Sequence, residues 1–127
     1  MFNGTIPSYL FTFPLLEILY LGGNNLSNVL ETSKFGKHGN LIELDLSNNM
    51  LSLTISNNSN SILPKIETLD LSNNKINGIW TLNMGNDTLK YLNLSYNFIS
   101  GFEMHPCKNT QILDLHSNLL QGPFPTP

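Results

Sequence analysis

The residues with the most reactive chemistry are His38, His105, His116 and Cys107. A cysteine or histidine nucleophile needs a base within hydrogen-bond reach and a third group to orient it. His105-Pro106-Cys107 is too tight to supply that arrangement, and no third member stands beside it. One cysteine makes neither an internal disulfide nor a zinc site. Gly22-Gly23 lacks the following helix that a phosphate-cradling loop requires and is expected at a strand edge. The chain is therefore not read as an enzyme, and no cofactor or metal is expected. A second chemistry is covalent modification. Asn3, Asn25, Asn57, Asn86 and Asn93 each head an Asn-x-Ser/Thr acceptor for N-glycosylation. The motif is short and an Asn- and Ser-rich chain makes it by chance, yet five of them favour secretion over the cytosol. Asn57 sits in a polar loop, where a glycan is easily carried. At Asn93 it would block a strand.

Stepping outward from these side chains, one template organises the sequence. Leu16, Leu19, Leu21, Asn24 and Leu26 recur as Leu41, Leu44, Leu46, Asn49 and Leu51, and as Ile66, Leu69, Leu71, Asn74 and Ile76. Two more registers follow: Leu89, Leu92, Leu94, Asn97 and Ile99, then Thr110, Leu113, Leu115, Asn118 and Leu120. The steps are 25, 25, 23 and 21 residues, a period that marks a solenoid of leucine-rich repeats. Within each template the apolar residues alternate, which predicts a short strand with one buried face. Asn24, Asn49, Asn74, Asn97 and Asn118 then end the strands. An amide carries two donors and an acceptor, so a stacked, buried ladder of these five is expected to hold the same turn in coil after coil.

The domain reading is a single repeat domain over residues 1–127: a partial repeat at 1–15, full repeats at 16–40, 41–65, 66–88 and 89–109, and a truncated one at 110–127. The fold class is an α/β-type solenoid, a right-handed superhelix with a parallel concave sheet and extended or 3₁₀ convex segments. Ile79, Trp80, Leu82 and Met84, and Phe98, Ile99 and Phe102, are expected to pack along the return. Residues 54–61, rich in Ser and Asn, are expected as a surface loop, and Gly122-Pro123-Phe124-Pro125 echoes Gly4-Thr5-Ile6-Pro7. No polar cap is evident at either end. Leu16, Leu19, Leu113 and Leu115 are expected near bare apolar faces, and the chain is expected to be marginal or to associate.

Composition narrows the partners. Charged residues make up 12% of the chain and the net charge is −3. With no basic stripe, nucleic acid is excluded. No run of about 18 apolar residues is present to span a bilayer, so this segment inserts in no membrane. The apolar stretch at residues 9–21 lacks a charged leader and carries repeat register, so it is not read as a signal peptide.

The motif at residues 41–49 and 66–74 (Leu/Ile-x-x-Leu-x-Leu-Ser-x-Asn), with Gly4-Thr5-Ile6-Pro7, resembles the plant-type extracellular leucine-rich repeat. LDLSNN at 44–49 and 69–74, with ILDLHSN at 112–118, resembles plant receptor-like proteins. That resemblance implies a cell-surface recognition role, often in defence signalling, on the extracellular face of the plasma membrane. It implies a protein or peptide ligand and a co-receptor as partners. Two alternatives stay open: a truncated, non-signalling paralogue that stacks on a longer receptor, and a cytosolic repeat adaptor.

Recognition is expected on the exposed strand positions. One column is Tyr20, Asp45, Asp70, Asn93 and Asp114. Its flanks are Ile18, Glu43, Thr68, Tyr91 and Ile112 on one side, and Gly22, Ser47, Ser72, Ser95 and His116 on the other. The binding candidates are Tyr20, Glu43, Asp45, Thr68, Asp70, Tyr91, Asn93, Tyr96, Asp114 and His116. The acidic column has two readings: a stripe that meets a cationic peptide, or carboxylates that this repeat type simply carries in solvent.

Overall fold

The computed structural model describes residues 3–7, 10, 13, 15–27, 29–31, 40–54, 63, 65–80, 88–102 and 110–120. Its strands, in chain order, are β1 (Asn3–Gly4), β2 (Ile18–Tyr20), β3 (Asn25–Leu26), β4 (Val29–Glu31), β5 (Glu43–Asp45) and β6 (Ser52–Thr54). They continue with β7 (Thr68–Asp70), β8 (Asn77–Trp80), β9 (Tyr91–Asn93), β10 (Phe98–Phe102) and β11 (Ile112–Asp114). Strands β2, β5, β7, β9 and β11 form one five-stranded sheet in chain order, with every neighbouring pair parallel. Parallel neighbours joined in sequence require each connection to return behind the sheet. The pairs β1–β3, β4–β6 and β8–β10 are also parallel. The result is a solenoid of short strands with extended return segments.

The alternation that predicts each strand also decides its faces. Leu44, Leu69 and Leu92, the middle residues of β5, β7 and β9, are buried, and their flanking residues are half-exposed. They join Leu41, Leu46, Leu51, Leu63, Ile66, Leu71, Ile76, Leu89, Leu94 and Ile99 in one continuous core. No single coil could bury these side chains; each is covered by the coils on either side. The stack thins at its ends. Leu16, Leu19 and Leu115 are partly buried against the core, while Leu113 in the edge strand is 41% exposed.

Two packing expectations are corrected. Phe98 and Ile79 do not pack inward: both are exposed, while their neighbour Ile99 is fully buried. In an extended segment successive side chains point to opposite sides, so Ile99 takes the interior and Phe98 must take the outside. Thr54, expected in a loop, ends β6. Leu82, Met84, His38, His105, Cys107, Asn57, Asn86 and residues 122–125 lie outside the described residues, as do the side chains of Trp80 and Phe102.

Candidate functional site

The frame behind the sheet is set by the asparagines. Asn74 Nδ2 donates to the carbonyls of Leu71 at 3.1 Å and Ser72 at 3.2 Å in its own turn, and to Leu46 of the preceding coil at 2.9 Å. Its Oδ1 accepts the N–H of Leu51, also in the preceding coil, at 3.0 Å. Asn97 repeats the pattern with Leu94, Ser95, Leu71 and the N–H of Ile76. Asn49 and Asn118 do the same one coil earlier and one coil later. Each amide therefore reaches back to the coil before it, not forward. Burial also differs along the ladder: Asn49, Asn74 and Asn97 are buried, whereas Asn24 and Asn118 are only half-buried.

In front of this frame the strand columns lie side by side in strict register. Ile18, Glu43, Thr68, Tyr91 and Ile112 form one row of neighbours, and Tyr20, Asp45, Asp70, Asn93 and Asp114 form the next. The face so displayed carries four carboxylates, Glu43, Asp45, Asp70 and Asp114, and no Lys or Arg in these columns. At its first edge the Tyr20 hydroxyl donates to Glu43 Oε2. That bond, with the nearby negative charge, holds the phenol above its usual value of 10.0. At the far edge Tyr96 and His116 meet edge to face with ring centroids 4.8 Å apart. Between the edges the Tyr91 hydroxyl accepts from Asn93 Nδ2 at 3.2 Å.

The acidic column does more than either reading allowed. Asp45 Oδ1 accepts both the backbone N–H of Ser47 at 2.9 Å and its hydroxyl at 2.6 Å. Asp70 and Ser72 repeat this at 2.9 and 2.6 Å. Asn93 and Ser95 repeat it at 3.0 and 2.7 Å. In the last strand His116 takes the serine's part, with its N–H 3.1 Å and its Nδ1 2.6 Å from Asp114 Oδ1. These contacts hold the Asp114 carboxyl below the usual carboxylate range, the side-chain bond to His116 first and the backbone bond second. A short acceptor bonding the backbone two residues on is the local device that turns a chain. It explains why the strands stop after three residues. It also corrects the flanking column: Ser47 and Ser95 are buried, not displayed. Tyr20 cannot accept in this way, and its partner position is Gly22. A Cβ there would stand 3.0 Å from Ser47 Oγ.

The next position turns the backbone left-handed. Asn48, Asn73, Tyr96 and Ser117 have φ of 56, 56, 56 and 57°, and Gly23 stands at 71°. Asn and Gly tolerate this region, but a bulky side chain there costs about 1–2 kcal/mol. Tyr96 is thus a turn residue and not a strand residue, and it is exposed. Gly22-Gly23 forms this turn in the first coil and is not a strand edge.

Sequence reasoning missed the Asp–Ser pairing, although its signal is visible: Asp45-Leu46-Ser47, Asp70-Leu71-Ser72 and Asn93-Leu94-Ser95 share one spacing. Among the described residues no three of His, Cys, Asp and Glu converge as metal ligands, and no helix is long and apolar enough to cross a membrane.

Comparison with known proteins agrees with this geometry. Residues 9–76 match one leucine-rich repeat family model and residues 88–110 match a second. Receptor-like protein 35 of Arabidopsis thaliana is 35% identical over 133 residues, covering 97% of this chain and 14% of that protein. Protein BRASSINOSTEROID INSENSITIVE 1 of the same plant is 34% identical over 122 residues, covering 91% of this chain and 10% of its own length. The brassinosteroid LRR receptor kinase of Solanum lycopersicum is 32% identical, covering 94% of this chain and 11% of itself. The chain thus spans only 10 to 14% of the length of these relatives. Repeats of this kind are binding modules and not catalysts. The parallel strands, the asparagine frame and the family match place the chain in the leucine-rich repeat family, in the form carried by plant receptor-like proteins.

Proposed function

We propose that the five-stranded sheet face binds a protein or peptide ligand, on the extracellular side of a plant cell membrane and in the service of perception or defence signalling. One observation carries this reading. The frame positions repeat almost without change, while the displayed positions Ile18, Glu43, Thr68, Tyr91 and Ile112 differ from coil to coil in one aligned column. A rigid face that varies only where it is exposed is suited to recognition, because little ordering entropy is lost on contact. Four carboxylates without a Lys or Arg in these columns favour a ligand with cationic residues, and the tyrosines supply aromatic contacts.

The test is a screen of displayed peptides against the chain and against a variant carrying Glu43→Ala, Thr68→Ala and Tyr91→Ala. Peptides captured by the wild-type face should lose at least tenfold in affinity on the variant. They should bind an Ile79→Ser variant, altered away from the sheet, as well as they bind wild type. Peptides indifferent to the triple change would remove the sheet face from the account. A second reading, association coil on coil with a longer repeat protein, is favoured by the exposure of Leu113 in the edge strand β11. It predicts self-association in sedimentation that Leu113→Asp abolishes.

A further inference from the structure

The strand-to-turn device repeats along the stack and departs from its pattern at one junction. Asp45-Leu46-Ser47-Asn48 and Asp70-Leu71-Ser72-Asn73 pair an acceptor with a serine and then set an asparagine at the left-handed position. The fourth coil keeps Asn93 and Ser95 but sets Tyr96 at the left-handed position. The fifth keeps Asp114 but sets His116 where the serine stands. Neither change serves the backbone. A serine hydroxyl satisfies the acceptor in the three coils before His116, and Gly, Asn or Ser makes the left-handed turn at every sister position of Tyr96. A tyrosine there is strained, and strain of this kind gathers where a surface is used. The two departures also meet. β9 and β11 lie in register, the N–H of Tyr96 donates to the carbonyl of His116 at 3.1 Å, and the two rings stand edge to face.

The chemistry of this corner follows from its bonds. His116 Nδ1 lies 2.6 Å from Asp114 Oδ1. An ionised carboxylate only accepts, so Nδ1 carries a proton, and Nε2 of the neutral ring is then an acceptor on the opposite side of the imidazole. Among the described residues Nε2, the second Asp114 oxygen and the Tyr96 hydroxyl make no hydrogen bond. Both rings are more than half exposed. The corner therefore offers two open acceptors, one of them anionic, beside an open phenol ring. We infer that it is the anchor subsite of the sheet face and takes the guanidinium of an arginine in the ligand. This rests on the reading of that face as ligand-binding and adds the side chain that it selects. A guanidinium is planar, always charged, and carries five N–H donors and no acceptor. Its face stacks on Tyr96 while its edge donates to Asp114 and to Nε2. The ammonium of lysine is a compact, strongly hydrated charge with no plane to stack. The ureido group of citrulline has the plane but no charge.

Other exposed rings are already used from within the chain. On the flank beyond the sheet, where Met50 and Phe98 stand exposed, Lys75 Nζ lies 5.5 Å from the centre of the Phe98 ring and supplies its cation. At the opposite edge Tyr20 and Glu43 bond each other, with no imidazole beside them among the described residues.

The experiment titrates the chain with the N-acetyl amides of arginine, lysine and citrulline and follows the ring resonances of Tyr96 and His116 by NMR. Arginine amide should move both rings to saturation. Lysine amide should bind roughly fivefold more weakly, and citrulline amide should leave both rings in place. Tyr96→Asn and His116→Ser carry the residues of the sister coils, so both keep the turn. Each should abolish the preference for arginine, read on the ring that remains, whereas Ile79→Ser should leave it unchanged. If either corner variant unfolds, the three amides on the wild-type chain decide alone. The titration uses no selected peptide, and the screen on the sheet face alters neither Tyr96 nor His116, so either result can fail while the other holds. Rings that ignore arginine amide, equal binding of arginine and lysine amides, or an unchanged preference in a folded Tyr96→Asn variant would overturn the assignment.

Discussion

Asn74 satisfies four backbone groups with one side chain, three carbonyls and the N–H of Leu51, at 4% exposure. A buried polar group left unmatched costs about 1–3 kcal/mol, more than a matched bond contributes. Asn74→Ala strands several such groups at once, so it should lower unfolding free energy by about 3 kcal/mol or more. Asn24→Ala, at the half-buried end of the ladder, should cost nearer 1 kcal/mol because water replaces the amide. Urea titrations of the two variants check the ordering; equal losses would mean that the ladder is not the frame. Asp45 makes a sharper case. Its role in the turn needs an acceptor oxygen, not a charge, since Asn93 does the same work in the fourth strand. Asp45→Asn should leave stability within about 0.5 kcal/mol, and Asp45→Ala should cost about 1–1.5 kcal/mol. A large loss in Asp45→Asn would assign the role to charge. Tyr96 keeps a bulky side chain where its sister positions hold Asn, Gly or Ser. That strain is tolerated for a ring that reaches His116, and such outliers concentrate at functional surfaces.

At the level of the strand and its turn, what could be read from the sequence divides along physical lines. The registers of β2, β5, β7, β9 and β11 were legible, because a period-2 leucine pattern ending in Asn leaves one pairing that aligns all the middle leucines in one column. The burial of Ser47 and Ser95 was not. Alternation assigns a polar residue to the open side, and only the turn after the strand carries it inward to meet Asp45 or Asn93. The outward Phe98 was likewise hidden, because hydrophobicity alone says nothing about which side of a return strand it takes. The last turn also responds to acid. Ionised Asp114 accepts from His116, and that bond holds its folded pKa below the usual aspartate value of 3.8. A lowered folded pKa means stability that is complete above the unfolded value and is lost as pH falls through the folded one. Asp114→Asn should therefore approach or exceed wild-type stability below about pH 4 and fall behind it only above. Thermal melts of both proteins across that window decide the matter; curves that stay parallel would mean the pair adds nothing.

Seen whole, the molecule separates a constant frame from a variable display. Leucines and asparagines lock coil to coil, so the sheet behaves as a stiff plate. Tyr20, Glu43, Thr68, Tyr91 and Ile112 stand on it outside the leucine core and the asparagine ladder. The flank column at Met50 and Phe98 is a different, exposed surface. The most direct measurement is amide and side-chain NMR of the chain on titration with a cationic, aromatic peptide selected on the sheet face. The account predicts shifts confined to residues of the displayed columns from Glu43 to His116, with the ladder-bonded amides of Leu51 and Ile76 unmoved. Shifts centred on Met50, Lys75 and Phe98, with the sheet columns silent, would contradict it.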